Sequence, residues 1–151
     1  MLRTLSLLSL IILISSCATT PQVERAYTTA SGSAEVTVNA SIDDISNYIV
    51  NDFVNANYVI NSQSSNSIEL QRPLNTSEEF LVGLTVGNSY SNNSRVSRFS
   101  FIKTQDGTRV IWKQFWKAEM VGGQVNQSAI DDNRIFNDNM EWLLKMKESF
   151  E

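Results

Sequence analysis

The sequence predicts an α+β fold in which an antiparallel meander of about five to six strands carries an N-terminal and a C-terminal helix on one face. Three observations predict it. Short stretches that alternate apolar and polar residues follow one another, two segments place apolar residues at helical spacing, and Asp106-Gly107 is a turn signal between two alternating stretches. The chain has 151 residues, which suits a single domain.

The first sixteen residues predict a signal peptide. The run from Leu5 to Ile14 is apolar apart from two serines, and it follows the positive charge of Arg3. Ten residues of helix reach about 15 Å, which is half of the ~30 Å hydrocarbon core of a membrane. Residues 1–16 are therefore expected to be a cleaved export leader and not a lasting membrane span.

The four residues Ile14-Ser15-Ser16-Cys17 combine an aliphatic residue, two small residues and the only cysteine of the chain. They resemble the lipobox of bacterial lipoproteins. The resemblance implies that the thiol of Cys17 takes a diacylglycerol and that cleavage then exposes its amine for a third acyl chain. The whole chain resembles small Gram-negative lipoproteins that carry one α+β domain of undefined function. An ordinary signal peptide followed by a chance cysteine is the alternative.

The residue after Cys17 is Ala18, not the aspartate that retains enterobacterial-type lipoproteins in the inner membrane. The resemblance therefore implies a position in the inner leaflet of the outer membrane, facing the periplasm. Three acyl chains make such anchoring effectively permanent. Residues 18–33 are small and polar without an apolar period, so residues 17–33 are predicted to be the lipidated cysteine and a flexible tether.

Residues 34–151 are predicted to form the single α+β domain. Residues 34–40 alternate as a half-buried strand, and Ser41 followed by Asp44 is typical of a helix N-terminus. The helix is predicted to run through residue 56 on the apolar positions Ile45, Ile49 and Phe53.

The middle of the chain predicts three further strands. Residues 58–60 and 68–70 flank the polar stretch 61–67, which indicates a hairpin with a loose loop. Another strand is predicted over residues 80–86. The Gly- and Gln-rich residues 121–128 are predicted to be a loop.

Residues 95–117 predict a long hairpin with Asp106-Gly107 as a type I′ turn. Counting back from that turn pairs Ile102 with Ile111 and Phe101 with Trp112. One face then carries Phe99, Phe101, Val110, Trp112 and Trp116. The opposite face carries Arg98, Arg109, Lys113 and Lys117 together with Ile102, Ile111 and Phe115.

A closing helix is predicted from about Asp131 to Phe150, with a stripe formed by Phe136, Met140, Leu143, Leu144, Lys147 and Phe150. The core is expected to contain Val36, Val38, Ile45, Ile49, Phe53, Phe99, Phe101, Val110, Trp112, Leu143 and Leu144.

Residues 36–41 leading into a helix, residues 106–110 and the closing helix resemble the corresponding parts of helix-grip domains of the START/polyketide-cyclase kind. That resemblance implies a hydrophobic ligand bound between the sheet and the long helix. A sheet with helices on one face, similar to that of TATA-binding proteins, is an equal structural candidate.

The composition predicts no enzyme. The chain has no histidine, which is the usual general base, and its one cysteine is assigned to the lipid. Ser100 and Lys103 match the spacing of serine acyl-enzymes, but residues three apart on a strand point to opposite faces. The adjacent acids at 43/44 and 131/132 lie at predicted helix starts, and the pair at 78/79 precedes a predicted strand. All three pairs are expected to be solvated caps. We expect no catalytic residues, no metal site and no cofactor.

Two binding hypotheses follow. The net charge of −4 does not favour nucleic acid, but residues 95–117 carry six cations against Asp106 alone. The predicted partner surface for an acidic envelope protein, lipid head groups or an anionic polymer comprises Arg98, Arg109, Lys113, Lys117, Ile111 and Phe115. The predicted ligand-facing aromatics of a hydrophobic-ligand carrier are Phe99, Phe101, Trp112 and Trp116. The simpler interpretations are that the cationic residues form a solvated sheet face and that the aromatic residues belong to an ordinary core. An immunity or inhibitor lipoprotein is a third class.

Overall fold

One six-stranded antiparallel sheet organises the computed structural model, which describes residues 22–79, 90–120 and 122–151. The elements in chain order are β1 (Ala34–Val38), α1 (Ile42–Asn55), β2 (Val59–Ser64), β3 (Ser67–Pro73), β4 (Tyr90–Thr104), β5 (Gly107–Met120), β6 (Val125–Ala129) and α2 (Asn133–Glu148). The predicted α+β class is confirmed. The predicted leader, Cys17 and the predicted strand over residues 80–86 lie outside the described residues.

Strands β2, β3, β4 and β5 form the expected meander, each pairing with the next. β1 does not pair with β2, because α1 carries the chain across the sheet and β1 lies antiparallel to β5 instead. β6 also pairs with β5, farther along the same strand. β5 therefore has β4 on one side and β1 followed by β6 on the other.

The beginning of α1 confirms the predicted cap. The hydroxyl oxygen of Ser41 accepts a hydrogen bond from the backbone N–H of Asp44 at 3.1 Å, which satisfies one of the free donors of the first turn. The helix buries Ile45, Ile49 and Phe53 as its spacing predicts. It ends at Asn55, and Asn57 then takes a left-handed conformation with φ of 63°.

α2 begins after Asp132, whose carboxylate accepts hydrogen bonds from the N–H groups of Arg134 and Ile135. Its buried residues are Phe136, Asn139, Met140, Leu143 and Met146. The apolar stripe in the sequence missed Met146 and the amide of Asn139. Leu144, predicted as core, is only partly buried at its edge. The other predicted core residues are buried.

Both helices pack on one face of the sheet, around a cluster of large rings. Phe99 of β4 and Trp112 of β5 stack with centroids 5.0 Å apart. Phe53 of α1 meets both rings edge-on, at 5.2 and 5.4 Å. Trp142 of α2 closes the cluster 5.4 Å from Trp112 and donates its indole N–H to the carboxylate of Asp52 at 2.8 Å. This donation ties the two helices together.

The predicted register of the β4–β5 hairpin is wrong by two residues. Phe101 pairs with Val110, not with Trp112, because the turn residues are Gln105 and Asp106. Neither of these has a positive φ, so the turn is not of type I′. Gly107 has a φ of 130°, and a Cβ there would lie 2.3 Å from the carbonyl oxygen of Val38. A shift of two preserves both predicted faces.

Two segments predicted as loops contain strands. Most of the polar stretch 61–67 belongs to β2 and β3, which are joined by a short turn at Ser65 and Asn66. β2 is an exposed edge strand, so it has no apolar face that alternation could reveal. Its register shifts between Ile60 and Ser62, an irregularity that protects an edge from further pairing. β6 begins within the predicted loop 121–128 and is also exposed.

Residues 22–33, the second part of the predicted tether, lie against the beginning of α2. Tyr27 packs on the core cluster, and side chains of α2 bind the backbone before it.

Candidate functional site

The sheet face opposite the helices is called the helix-free face here. Direct partners in the register, such as Arg98 with Lys113 and Val96 with Phe115, show which side chains share it. All six residues of the predicted partner surface lie on this face: Arg98, Arg109, Ile111, Lys113, Phe115 and Lys117. They come together as the alternation predicts, although their register differs from the predicted one.

Arg98 is held in place on the helix-free face. Its Nε and one terminal nitrogen donate to Glu69 Oε2 at 2.9 and 2.6 Å, and its guanidinium lies 4.8 Å from the ring centroid of Phe115. Burial alone would raise the pKa of Glu69, but the hydrogen bonds from Arg98 and Asn61 outweigh it and lower that pKa. The charge of Arg98 is therefore compensated within the protein.

The remaining cations on this face differ in their exposure and in their hydrogen-bond partners. Lys117 donates to Gln71 Oε1 at 3.3 Å, whereas Lys113 is exposed. Arg109 is half-buried, and its Nε has no hydrogen-bond partner. We call the group formed by Ile102, Arg109, Ile111 and Lys113 the Lys113 patch. It combines two aliphatic side chains, Ile102 being 41% exposed, with two cations that form none of the structure's salt bridges within the described residues.

Three acids on this face were not predicted from the sequence. Glu35 of β1 lies opposite Ile111, Glu69 of β3 lies opposite Arg98, and Glu119 lies on β5 itself. The charge count of residues 95–117 did not include them, because Glu35 and Glu69 come from strands outside the hairpin and Glu119 lies beyond residue 117. The alternation of Ala34 and Val36 around Glu35 could have placed it on this face. The face is accordingly less basic than the hairpin alone predicts.

A shallow groove of about 280 Å³ opens on the other side, between the sheet and the two helices. We call it the aromatic groove. Its walls come from Phe53, Tyr58, Trp112 and Trp142, with Ala56, Arg95, Gln114, Asp138 and Asn139 at its edges. Trp112 is 7% exposed, and its indole Nε1 has no hydrogen-bond partner.

Of the four predicted ligand-facing aromatics, only Trp112 lines the aromatic groove. Phe99 and Phe101 are buried in the core beneath it. Trp116 points to the same side of the sheet but lies beyond the core cluster, with the guanidinium of Arg95 5.8 Å from its ring centroid.

Polar side chains connect the groove to α2. Arg95 Nε donates to Gln114 Oε1, and Gln114 Nε2 donates to Asn139 Oδ1 at 2.6 Å. Gln114 and Asn139 are both buried, so this chain of hydrogen bonds satisfies groups that would otherwise be costly to bury. No apolar pattern marks such residues in a sequence, which is why they were missed.

Glu78 joins this network from the connection after β3. It accepts two hydrogen bonds from Arg72, at 2.6 and 2.7 Å, and one from Arg95 at 3.2 Å. Its backbone N–H donates to Asn75 Oδ1 while its carboxylate accepts from the N–H of Asn75, a reciprocal capping arrangement. The acid pair at 78/79 was expected to be a solvated cap, and Glu78 is a cap whose side chain is only 13% exposed.

The pKa of Glu78 is lowered by this setting. Burial alone would raise the pKa, but hydrogen bonds from Arg72 and from the backbone of Asn75 outweigh burial, and the charges of Arg72 and Arg95 act in the same direction. The hydrogen bonds with Glu78 in turn raise the pKa of Arg72.

Ser100 and Lys103 lie on opposite faces of β4, so the serine acyl-enzyme arrangement is not formed. Within residues 22–79, 90–120 and 122–151, no three acidic, cysteine or histidine side chains are grouped to hold a metal ion. Across the same ranges, no helix is both long enough and apolar enough to cross a membrane.

Comparison of the chain with models of protein families, with curated proteins and with solved structures found no match.

Replacing Glu78 by Gln is expected to lower the free energy of unfolding at pH 7 by about 1–3 kcal/mol, because the half-buried guanidinium groups of Arg72 and Arg95 lose their charged acceptor. Since the pKa of Glu78 is lowered in the folded state, its contribution is present above the unfolded pKa and is lost as pH falls through the folded pKa. In urea unfolding, the free energy of unfolding should therefore fall less between pH 7 and pH 3 in Glu78→Gln than in wild type. Glu79→Gln, at the exposed neighbour, should keep the wild-type slope, and equal slopes in all three proteins would contradict the expectation.

Proposed function

We propose that this chain is a lipid-anchored, non-enzymatic binding module of the bacterial cell envelope. It is attached through acyl chains on Cys17 to the inner leaflet of the outer membrane, and its domain faces the periplasm without a cofactor. The lipobox resemblance of residues 14–17 supports the anchor. The Lys113 patch supports the binding role.

The observation that carries the binding role is the combination of aliphatic and cationic side chains on a rigid, helix-free sheet face. Ile102 and Ile111 provide apolar area, while Lys113 and Arg109 flank them with positive charge. Desolvated apolar contacts supply affinity at protein interfaces, and complementary charges select the partner and orient its approach. The sheet fixes the backbone beneath these side chains, so no backbone ordering is needed when a partner binds.

The partner proposed for the Lys113 patch is an acidic envelope protein. A cationic surface on a chain of net charge −4 favours an acidic partner, because the rest of the molecule repels negative charge except where the patch faces it. An anionic envelope polymer is the other outcome that the binding experiment distinguishes.

The anchor predicts the fate of Cys17. Mass spectrometry of protein purified from intact cells should show a chain that begins at Cys17 and carries three acyl groups. Cys17→Ser should incorporate no radiolabelled palmitate and should leave the outer-membrane fraction. A free thiol or an uncleaved leader on the wild-type protein would overturn the anchor while leaving the described fold untouched.

Charge reversal at the patch predicts a loss of partner. Lys113→Glu should reduce the recovery of a crosslinked acidic protein from intact envelopes at least tenfold, since Lys113 is exposed and takes no part in the Arg98–Glu69 salt bridge. Lys145→Glu makes the same change of charge at an exposed position of α2 and should retain the partner. Digestion of the envelope polymer before capture distinguishes a protein partner from a polymer partner. Identical partners for wild type, Lys113→Glu and Lys145→Glu would refute the patch as the binding site.

The aromatic groove favours a second candidate, a carrier of a small hydrophobic ligand. Binding pockets are mostly apolar with a few placed polar groups, and the groove combines four aromatic walls with Arg95, Gln114 and Asn139. The unpartnered indole N–H of Trp112 is a further donor in its lining. The immunity or inhibitor class stays a prediction without a residue to carry it.

Filling the groove tests the carrier. Ala56 lines it at the end of α1, whereas Val54 is exposed on the same helix and does not. If the carrier is correct, native mass spectrometry of envelope-purified protein will show a bound small molecule in wild type and in Val54→Trp, with at least tenfold lower occupancy in Ala56→Trp. Empty wild-type protein, or equal occupancy in Ala56→Trp, would exclude this groove as the ligand site.

A further inference from the structure

The first two turns of α2 bind the backbone of the chain's own N-terminal segment. The side-chain amide of Asn137 accepts a hydrogen bond from the N–H of Ala26 at 2.9 Å and donates to the carbonyl of Glu24 at 3.0 Å. One turn earlier, Asn133 Nδ2 donates to the carbonyl of Val23 at 2.8 Å. The two asparagines are four residues apart, so they project from one side of the helix.

Arg25 is the side chain that this surface recognises. Its Nε donates to Asn133 Oδ1 at 3.0 Å, and one terminal nitrogen donates to Asp131 Oδ1 at 2.6 Å. The other terminal nitrogen donates to the carbonyl of Gly32 at 2.9 Å. The guanidinium also lies 4.5 Å from the ring centroid of Phe136. All three nitrogens of Arg25 are thus engaged.

We infer that this side of α2 is an interaction surface whose partner is the strap formed by residues 22–33 of the same chain, and that the docked strap sets how the domain sits on the membrane. The inference rests on the proposed lipid at Cys17. It goes further, because an anchor alone would leave the orientation of the domain free.

The docked strap shortens the link to the lipid. Val23 is six positions after Cys17, and an unstructured peptide of that length averages about 13 Å end to end. Ala34 is seventeen positions after Cys17, so with the strap released the average rises to about 23 Å with a limit of about 55 Å. Docking therefore draws the domain toward the membrane surface.

Docking also fixes the point on the domain at which the chain leaves toward the lipid. The strap leaves the domain beside Asn133, at the N-terminal end of α2. The other end of α2 is about 24 Å away. There Phe150 packs on Tyr48 of α1, and the β4–β5 turn lies against the residues that precede α1. The β4–β5 turn is therefore held away from the membrane.

The hydrogen bonds that hold the strap are individually weak. They are exposed, so each contributes little net free energy, and the side chain of Asp131 is 83% exposed. Ordering each residue of the strap costs a similar amount. Tyr27 adds packing against the core cluster. Because Arg25 makes three of these hydrogen bonds as well as the ring contact with Phe136, its removal should loosen the segment without disturbing the sheet.

The test uses the full lipidated chain in nanodiscs. Hydrogen exchange reports the protection of residues 22–33, and a fluorophore on an amber-encoded residue at position 105 reports the distance of the β4–β5 turn from labelled lipid head groups. Arg25→Ala should speed the exchange of the strap at least tenfold and broaden the distance distribution. Arg134→Ala removes an exposed arginine from the turn of α2 that contains Asn133, and it should behave as wild type.

Two outcomes would overturn the inference. One is a strap that is unprotected in wild type, and the other is a distance distribution that Arg25→Ala leaves unchanged. The exchange measurement is repeated on Cys17→Ser protein in solution to separate the inference from the anchor. Protection there, combined with an absence of acyl groups on native protein, would refute the anchor and the membrane orientation but keep the strap surface. Acylated protein with an unprotected strap would refute the strap alone.

Discussion

The stacking of Phe99 on Trp112 across β4 and β5 is the contact on which the rest of the domain depends. It joins the two longest strands at mid-length and presents a flat aromatic surface on which Phe53 and Trp142 pack from the two helices. Because α1 and α2 bury their apolar stripes against the same surface, both lie on one side of the sheet. The helix-free face and the aromatic groove are the two consequences of this one-sided arrangement.

Much of this fold could be predicted from the sequence, because its strongest signals are local. The cap at Ser41, the spacing of Ile45 and Ile49 and the alternation of the hairpin all depend on neighbours within a few residues. The turn was wrong for a long-range reason: Gly107 is needed where the end of β1 passes close to it, a contact that no local pattern reports. β6 and the part of β2 beyond residue 60 were missed because an exposed strand with no buried face has no apolar alternation.

In the candidate sites too, local features were predicted correctly and long-range contacts were missed. The cations of the hairpin were placed on the correct face, since a register error of two residues does not change sides. The acids that temper them were missed because Glu35 and Glu69 arrive from other strands, and so was the burial of Glu78 between two arginines. The lipid anchor, its membrane and the helix-grip resemblance stay predictions.

The pairing of β1 with β5 has a consequence for the order in which the chain acquires structure during synthesis. Ala34 pairs with Trp112, and Arg25 contacts Asp131, which is 106 residues away. Contacts of such sequence separation form late and slow folding, because a long loop must close before they contribute. A nascent chain of the first hundred residues lacks β5, the strand with which β1 pairs, so this part of the sheet cannot form until most of the polypeptide has been made. Late folding of this kind is compatible with the export proposed above.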